Sequence, residues 1–101
     1  MEKIIAQTIS IKSDGYDPSV LDVLVGDNIV WINEDSQTRT VTSIDGLFDS
    51  GEIKHDGSYL YTFNEEGSFG YYSRLGSSPR GIAISGAINV KASETKSKLK
   101  D

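Results

Sequence analysis

The sequence predicts an all-β domain, folded as a two-sheet antiparallel β-sandwich of about eight short strands. Apolar and polar residues alternate along several short stretches, which is the period of a half-buried strand. Clusters of Gly, Asp, Asn and Ser separate these stretches, and the chain has ten glycines against two prolines. No stretch shows the period or the capping residues of a helix. The length of 101 residues suits a single domain.

The N-terminal half contains the first four predicted strands, at residues 4–12, 20–25, 28–33 and 38–44. In the first strand, Ile9 and Ile11 share one face at the period of two. The third strand is apolar on both faces, which predicts a central position with Trp31 as the core anchor between the sheets. Pro18 has no N–H to donate, so its neighbours cannot belong to a central strand. Tyr16 is therefore expected to be a loop aromatic without a function.

The C-terminal half contains the other four, at residues 47–53, 58–63, 68–73 and 82–91. Gly51 interrupts the first of these, which favours a bent or edge segment. Tyr59, Tyr61 and Phe63 share one face of the second, which favours packing in the core over a ligand platform. The last strand closes the predicted sandwich, so we assign residues 1–91 to the domain. Residues 92–101 are rich in lysine and are expected to form a flexible tail.

Charge and hydropathy exclude several classes of partner. The chain has 15 acidic and 10 basic residues, a net charge of −5, and an acidic body would repel the phosphates of nucleic acid. No apolar run approaches the ~20 residues that span a bilayer, so we expect no membrane insertion. The first residues lack the apolar core of a signal peptide.

Catalytic and metal-binding residues are scarce. The chain has no cysteine and a single histidine, His55, which has no cysteine or second histidine to bind a metal with. His55 lies in a predicted turn near Asp49, Glu52 and Asp56, where a weak metal site would need a second chain to complete it. The favoured interpretation is an exposed turn histidine. Ser73 has no obvious base, because His55 is expected to lie far from it in the fold, so we expect no enzymatic activity and no cofactor.

Four segments resemble the cupredoxins, the blue-copper proteins of the plastocyanin, amicyanin and halocyanin types. They are VGDNIVWIN at 25–33, NEDSQTRTVTS at 33–43, FDSGEIKHDGSYLYTFNEEGSFGYYS at 48–73 and GAINV at 86–90. Their order and spacing agree with that family over about residues 4–91. The resemblance implies a Greek-key sandwich with a metal site at one end and the His55 turn placed away from it. It also implies a location outside the cytoplasm, in the periplasm or at the cell surface.

The same resemblance implies that the copper ligands are missing. Arg39 stands at the position of the first histidine, Ser73 at that of the cysteine and Gly76 at that of the second histidine. The axial methionine would fall at Pro79 or Ile84. A type 1 copper site needs two imidazoles and a thiolate, and an arginine stays protonated and repels a metal ion. We therefore expect a copper-free domain.

Arginines and small polar residues cluster in the loops that would enclose copper. They make the candidate site for an anion or an acidic partner, comprising Arg39, Ser73, Arg74, Ser77, Ser78 and Arg80. An alternative is that Arg39 fills the vacant ligand pocket and pairs with Glu34, Asp35 or Asp45, while the other arginines only keep the loops soluble.

The sequence thus favours a binding or structural interaction module whose partner is another protein or a small anion. One alternative is an electron-transfer or copper-handling protein whose ligands come from a partner or an oligomer interface. Another is an engineered or degenerate scaffold without a ligand. Nothing in the sequence indicates an oligomeric state.

Overall fold

The computed structural model describes residues 6–92. Within that range the chain forms eight strands, β1 Ala6–Lys12, β2 Gly15–Asp17, β3 Val20–Leu24, β4 Asn28–Asn33, β5 Thr42–Ser43, β6 Ser58–Thr62, β7 Gly67–Tyr72 and β8 Ser85–Lys91. They make two four-stranded sheets, ordered β2-β1-β4-β6 and β3-β8-β7-β5. The predicted all-β sandwich is confirmed.

Two strand pairs correct the prediction of an antiparallel arrangement. β1 pairs with β4 in parallel, and β3 pairs with β8 in parallel, so both sheets are mixed. The remaining pairs are antiparallel. Side chains alternate with a period of two in either kind of pairing, so the residue pattern does not reveal strand direction.

The core lies between the sheets and follows the alternation of β4. Ile29, Trp31 and Asn33 point inward from this strand and are completely buried. Trp31 is in register with Ile9 of β1, and its ring meets the ring of Tyr71 edge-on at 5.4 Å from the opposite sheet. The prediction that Trp31 anchors the core is confirmed.

The segment between β4 and β6 has less strand than its β-branched residues predict. Only β5 is a strand there, and two isolated bridges join Arg39 to Ile53 and Thr42 to Asp49. Ser50 donates its N–H to the Val41 carbonyl oxygen at 3.0 Å, but its hydroxyl, rather than its carbonyl oxygen, accepts the hydrogen bond from the Val41 N–H at 2.8 Å. The predicted strands 38–44 and 47–53 are therefore mostly loop.

Tyr16 corrects a second prediction. It lies in β2 at the edge of its sheet and is only 3% exposed. Its hydroxyl donates to the Thr40 carbonyl oxygen at 2.6 Å. The strand ends at Asp17, so Pro18 does not interfere with it, and the ring turns inward to pack edge-on against Tyr71 at 4.6 Å. Tyr16 is thus a core residue.

The proposed boundary at residue 91 coincides with the end of β8. The predicted lysine-rich tail lies outside the described residues from position 93 onward. Among residues 6–92 there is no helix long and apolar enough to cross a membrane.

Candidate functional site

Three loops meet at one end of the sandwich, which we call the loop pole. They comprise residues 13–14, 34–41 and 73–84, which follow β1, β4 and β7. The first and second follow parallel strands of one sheet, and the third joins two strands of the other. All positions that the resemblance assigns to copper ligands fall in this pole.

Arg39 is the centre of the loop pole. Its guanidinium is completely buried, and its Nε and Nη2 lie 2.8 and 2.7 Å from Asp35 Oδ2. Nη2 also donates to the carbonyl oxygens of Ser13 at 3.1 Å and Ser77 at 3.0 Å. One side chain therefore ties all three loops together. The alternative that Arg39 fills the vacant pocket and pairs with an acid is confirmed, with Asp35 as the acid.

Asn33, at the end of β4, holds Asp35 in place. The Asp35 N–H donates to Asn33 Oδ1 at 2.8 Å, and the Asn33 amide donates to the carbonyl oxygens of Gln37 and Ile53 at 2.9 and 2.8 Å. Glu34 instead accepts a hydrogen bond from a serine of β1. Hydrogen bonds and an opposite charge offset the cost of burying Asp35 and Arg39.

Gly76 covers the buried guanidinium. It has a φ of 72°, and a Cβ placed there would lie 3.0 Å from Arg39 Nη1 and 2.9 Å from Gln37 Oε1. The cation therefore packs against backbone at the second histidine position. Nη1 itself has no hydrogen-bond partner among the described residues.

Ser73, at the cysteine position, is also interior. Its hydroxyl accepts from the Thr40 N–H at 2.9 Å and donates to the Leu75 carbonyl oxygen at 2.7 Å. Thr40 Oγ1 in turn accepts from the Arg74 N–H at 2.8 Å. Ser73 thus joins two loops where a cysteine would hold a metal.

Of the two candidate axial positions, Ile84 is buried in the core and Pro79 lies in an exposed turn. Neither offers a donor atom. The other three ligand positions hold a buried guanidinium, a hydroxyl that already makes two hydrogen bonds, and a glycine. These residues do not fit a copper ion, because none supplies an imidazole or a thiolate.

The outer surface of the pole carries the remaining candidate residues. Arg74 is about 41% exposed and forms two hydrogen bonds to Asp49, at 3.1 and 3.2 Å. The backbone N–H of Gly51, followed by Arg74, lowers the pKa of the Asp49 carboxyl. Arg80 is exposed and pairs with no acid among residues 6–92. Ser77 and Ser78 are half-buried beside it.

His55 lies closer to the pole than the resemblance implies. Its Nδ1 is 3.1 Å from the Asp35 carbonyl oxygen, and its Nε2 is 3.4 Å from Asp56 Oδ1. The ring is exposed, as predicted. Within the described range, no three His, Cys, Asp or Glu side chains come together as a metal site.

Sequence reasoning missed three polar residues that build the pole, Asn33, Gln37 and Thr40. A signal existed for Asn33, because it continues the inward-facing series Ile29 and Trp31. A polar residue in a buried series needs hydrogen-bond partners, and these lie in the loops. Gln37 and Thr40 carry no comparable signal, since their partners are loop backbone and a loop serine.

No family model and no curated protein sequence matches the chain. Solved structures do. A purple cupredoxin from Nitrosopumilus maritimus aligns with a TM-score of 0.72 and 26% identity, over 84% of this chain and 99% of that one. A single-site mutant of amicyanin in its Cu(I) form aligns with a TM-score of 0.73 and 25% identity, over 85% of this chain and 82% of that one.

A copper-containing nitrite reductase from Thermus scotoductus aligns at 20% identity with a TM-score of 0.72. This alignment covers 86% of this chain but only 22% of the reductase, and it supports a shared fold alone. The alignments with the purple cupredoxin and with amicyanin show that this chain has a cupredoxin-like fold. This chain is a cupredoxin-like protein that lacks the ligands of a type 1 copper site.

Proposed function

We propose that this chain is a copper-free, non-catalytic binding module that recognises an acidic segment of a partner protein at the loop pole. One observation carries the proposal. The buried Arg39–Asp35 pair ties the ligand loops together from within, while Arg74 and Arg80 stay on the outer surface.

The buried contacts would prepare the surface for binding. Arg39 and Ser73 do not reach the solvent, so their part in recognition is indirect. They join loop 34–41 to loop 73–84 through two hydrogen bonds, one from Arg39 to the Ser77 carbonyl oxygen and one from the Thr40 N–H to the Ser73 hydroxyl. Loops that are already ordered lose less entropy when a partner binds.

The exposed residues favour a protein segment over a small anion. Arg80 and Asp14 line the same open cleft of about 360 Å³, so the cleft carries no net positive charge that would hold a small anion by itself. Ile82, two residues beyond Arg80, is 63% exposed. Arginine beside exposed apolar surface is typical of protein interfaces, and guanidinium groups bind carboxylates with two parallel hydrogen bonds.

Binding of a labelled decaglutamate peptide, measured by fluorescence anisotropy at increasing salt, tests the proposal. We expect salt-sensitive binding that Arg80→Ala weakens several-fold and Arg74→Ala combined with Arg80→Ala weakens further. Lys91→Ala is the matched control, because Lys91 is an exposed cation at the opposite end of β8. Equal affinity for all variants, or stronger competition by inorganic phosphate or sulfate than by sodium chloride at the same ionic strength, would contradict recognition of an acidic segment.

Copper addition tests the alternative of a copper-handling protein. We expect no intense visible absorption after Cu(II) is added, because that band needs a thiolate and the chain has no cysteine. Tight, stoichiometric copper binding to the isolated chain would contradict the proposal. The resemblance to the cupredoxins also supports a place outside the cytoplasm, which fractionation of the native cell would test.

A further inference from the structure

A groove lies at the end of the sandwich opposite the loop pole. It has a volume of about 200 Å³ and is lined mainly by Leu47, Tyr61, Phe63, Asn64, Glu65 and Phe69. The turn between β6 and β7 contributes Asn64 and Glu65, and β7 runs from this turn to Ser73 at the pole. The groove is therefore separate from the surface proposed for the acidic partner.

Three aromatic rings form its walls in different orientations. The ring centres of Tyr61 and Phe63 are 4.9 Å apart, and the two ring planes are nearly perpendicular at 77°. The ring centres of Phe63 and Phe69 are 5.6 Å apart, with an angle of 40° between the ring planes. Phe48 supports two of these rings from the core, at 4.6 Å from Tyr61 and 5.7 Å from Phe63. Tyr61 and Phe69 are half-buried, so part of each ring remains open to the groove.

The charge beside the rings is negative. Glu65 lines the groove and Glu66 follows it, and both are exposed. No lysine or arginine lines the groove among the described residues. The negative faces of aromatic rings and a carboxylate attract the same kind of ligand, a cation with apolar substituents.

We infer that this groove binds a trimethylammonium group, as carried by choline or by a trimethylated lysine. The methyl groups would contact the rings of Tyr61 and Phe69, and Glu65 would balance the charge. A trimethylammonium group has no N–H to satisfy, so it loses less on leaving water than an unmodified lysine does. A neutral apolar ligand would gain nothing from Glu65.

Titrations followed by NMR chemical shifts of the labelled full chain test this inference. The probes are choline and its neutral isostere 3,3-dimethyl-1-butanol. We expect choline to shift the resonances of Tyr61, Phe69 and Glu65, with at least fivefold tighter binding than the isostere. Equal binding of the two compounds, or shifts confined to the loop pole, would overturn the inference.

Variants separate the charge from the rings. We expect Glu65→Gln to weaken choline binding several-fold, while Glu52→Gln, which removes the same charge near the loop pole, leaves it unchanged. Phe69→Leu should weaken binding further. The NMR spectrum of each variant without ligand shows whether it is folded. An unchanged affinity in Glu65→Gln would overturn the inference even if Phe69→Leu fails to fold.

A peptide with one trimethyl-lysine distinguishes the two sources of the group. Tighter binding of this peptide than of choline, lost in the unmodified peptide, would assign the groove to a modified protein. Equal binding of choline and the peptide would assign it to the ammonium group itself. If neither probe binds, the inference is overturned, while the acidic-partner proposal is unaffected.

Discussion

The two ends of the sandwich are held together by different forces. At the loop pole, a buried ion pair and hydrogen bonds to backbone join the loops, with Arg39 as the centre. At the opposite end, contacts among Phe48, Tyr61, Phe63 and Phe69 fill the space between the sheets. The comparison shows how this fold persists without a metal. Polar side chains at the pole join the loops that a copper ion would join, while aromatic rings pack the opposite end.

The largest expected effect comes from breaking the buried pair at the pole. Arg39→Ala leaves Asp35 buried without its partner, and removing one member of such a pair costs about 3–5 kcal/mol. Chemical denaturation measures the change. Arg74→Ala is the matched control, because its pair with Asp49 is exposed and is worth at most about 1 kcal/mol.

A double variant sharpens the same comparison. Arg39→Met combined with Asp35→Leu replaces the ion pair by apolar side chains, as the opposite end of the sandwich already does. We expect it to recover most of the stability that Arg39→Ala loses, because apolar residues of similar volume can substitute for a buried pair. If the double variant is as unstable as Arg39→Ala, the pole depends on its hydrogen bonds rather than on filled space.

An intermediate effect is expected at the glycine that covers Arg39. Gly76→Ala places a Cβ 3.0 Å from Arg39 Nη1 at a φ of 72°. Gly81→Ala has a similar φ of 80° but meets nothing within 4 Å, so it isolates the backbone strain of about 1–2 kcal/mol. We expect Gly76→Ala to be the less stable variant in thermal denaturation. Equal melting temperatures would mean that the guanidinium does not pack against this loop.

The smallest effect concerns two tyrosines in contact where the polar and aromatic regions meet. Tyr16→Phe removes a hydrogen bond to Thr40 and should cost about 1 kcal/mol. Tyr71→Phe should cost nothing or stabilise slightly, because the Tyr71 hydroxyl is buried without a partner among the described residues. Urea denaturation of both variants at neutral pH measures the difference. A loss in Tyr71→Phe as large as in Tyr16→Phe would contradict this division.

The same two tyrosines make the stability of the fold decrease at alkaline pH. Burial raises the pKa of Tyr71 to about 12, above its ordinary value of 10.0. Burial also raises the pKa of Tyr16. Because the unfolded tyrosines ionise first, the stability is complete below pH 10 and declines as the pH rises from 10 towards 12. Tyr71→Phe should make that decline less steep, as followed by denaturation at several pH values.

Residue pattern alone predicted the sandwich and the burial of Trp31, but not every strand. The pattern predicted strands at Val41 and Ser50, yet only one of the two hydrogen bonds between them is a backbone bond, and the Ser50 hydroxyl makes the other. Tyr16 read as a loop aromatic, because Pro18 limits the strand and nothing local reveals which way a ring turns. The residue pattern also could not predict strand direction, since side chains alternate between the two faces in both parallel and antiparallel strands.

For the site, the sequence by itself determined that no blue-copper centre can form, because the chain has no cysteine and a single histidine. It also placed Arg39 in a ligand loop. Only the tertiary structure decided that Asp35, rather than Glu34 or Asp45, neutralises this arginine. The physical reason is that burial and pairing depend on how three loops meet across the two sheets. The distances between side chains in different loops cannot be predicted from their spacing along the chain.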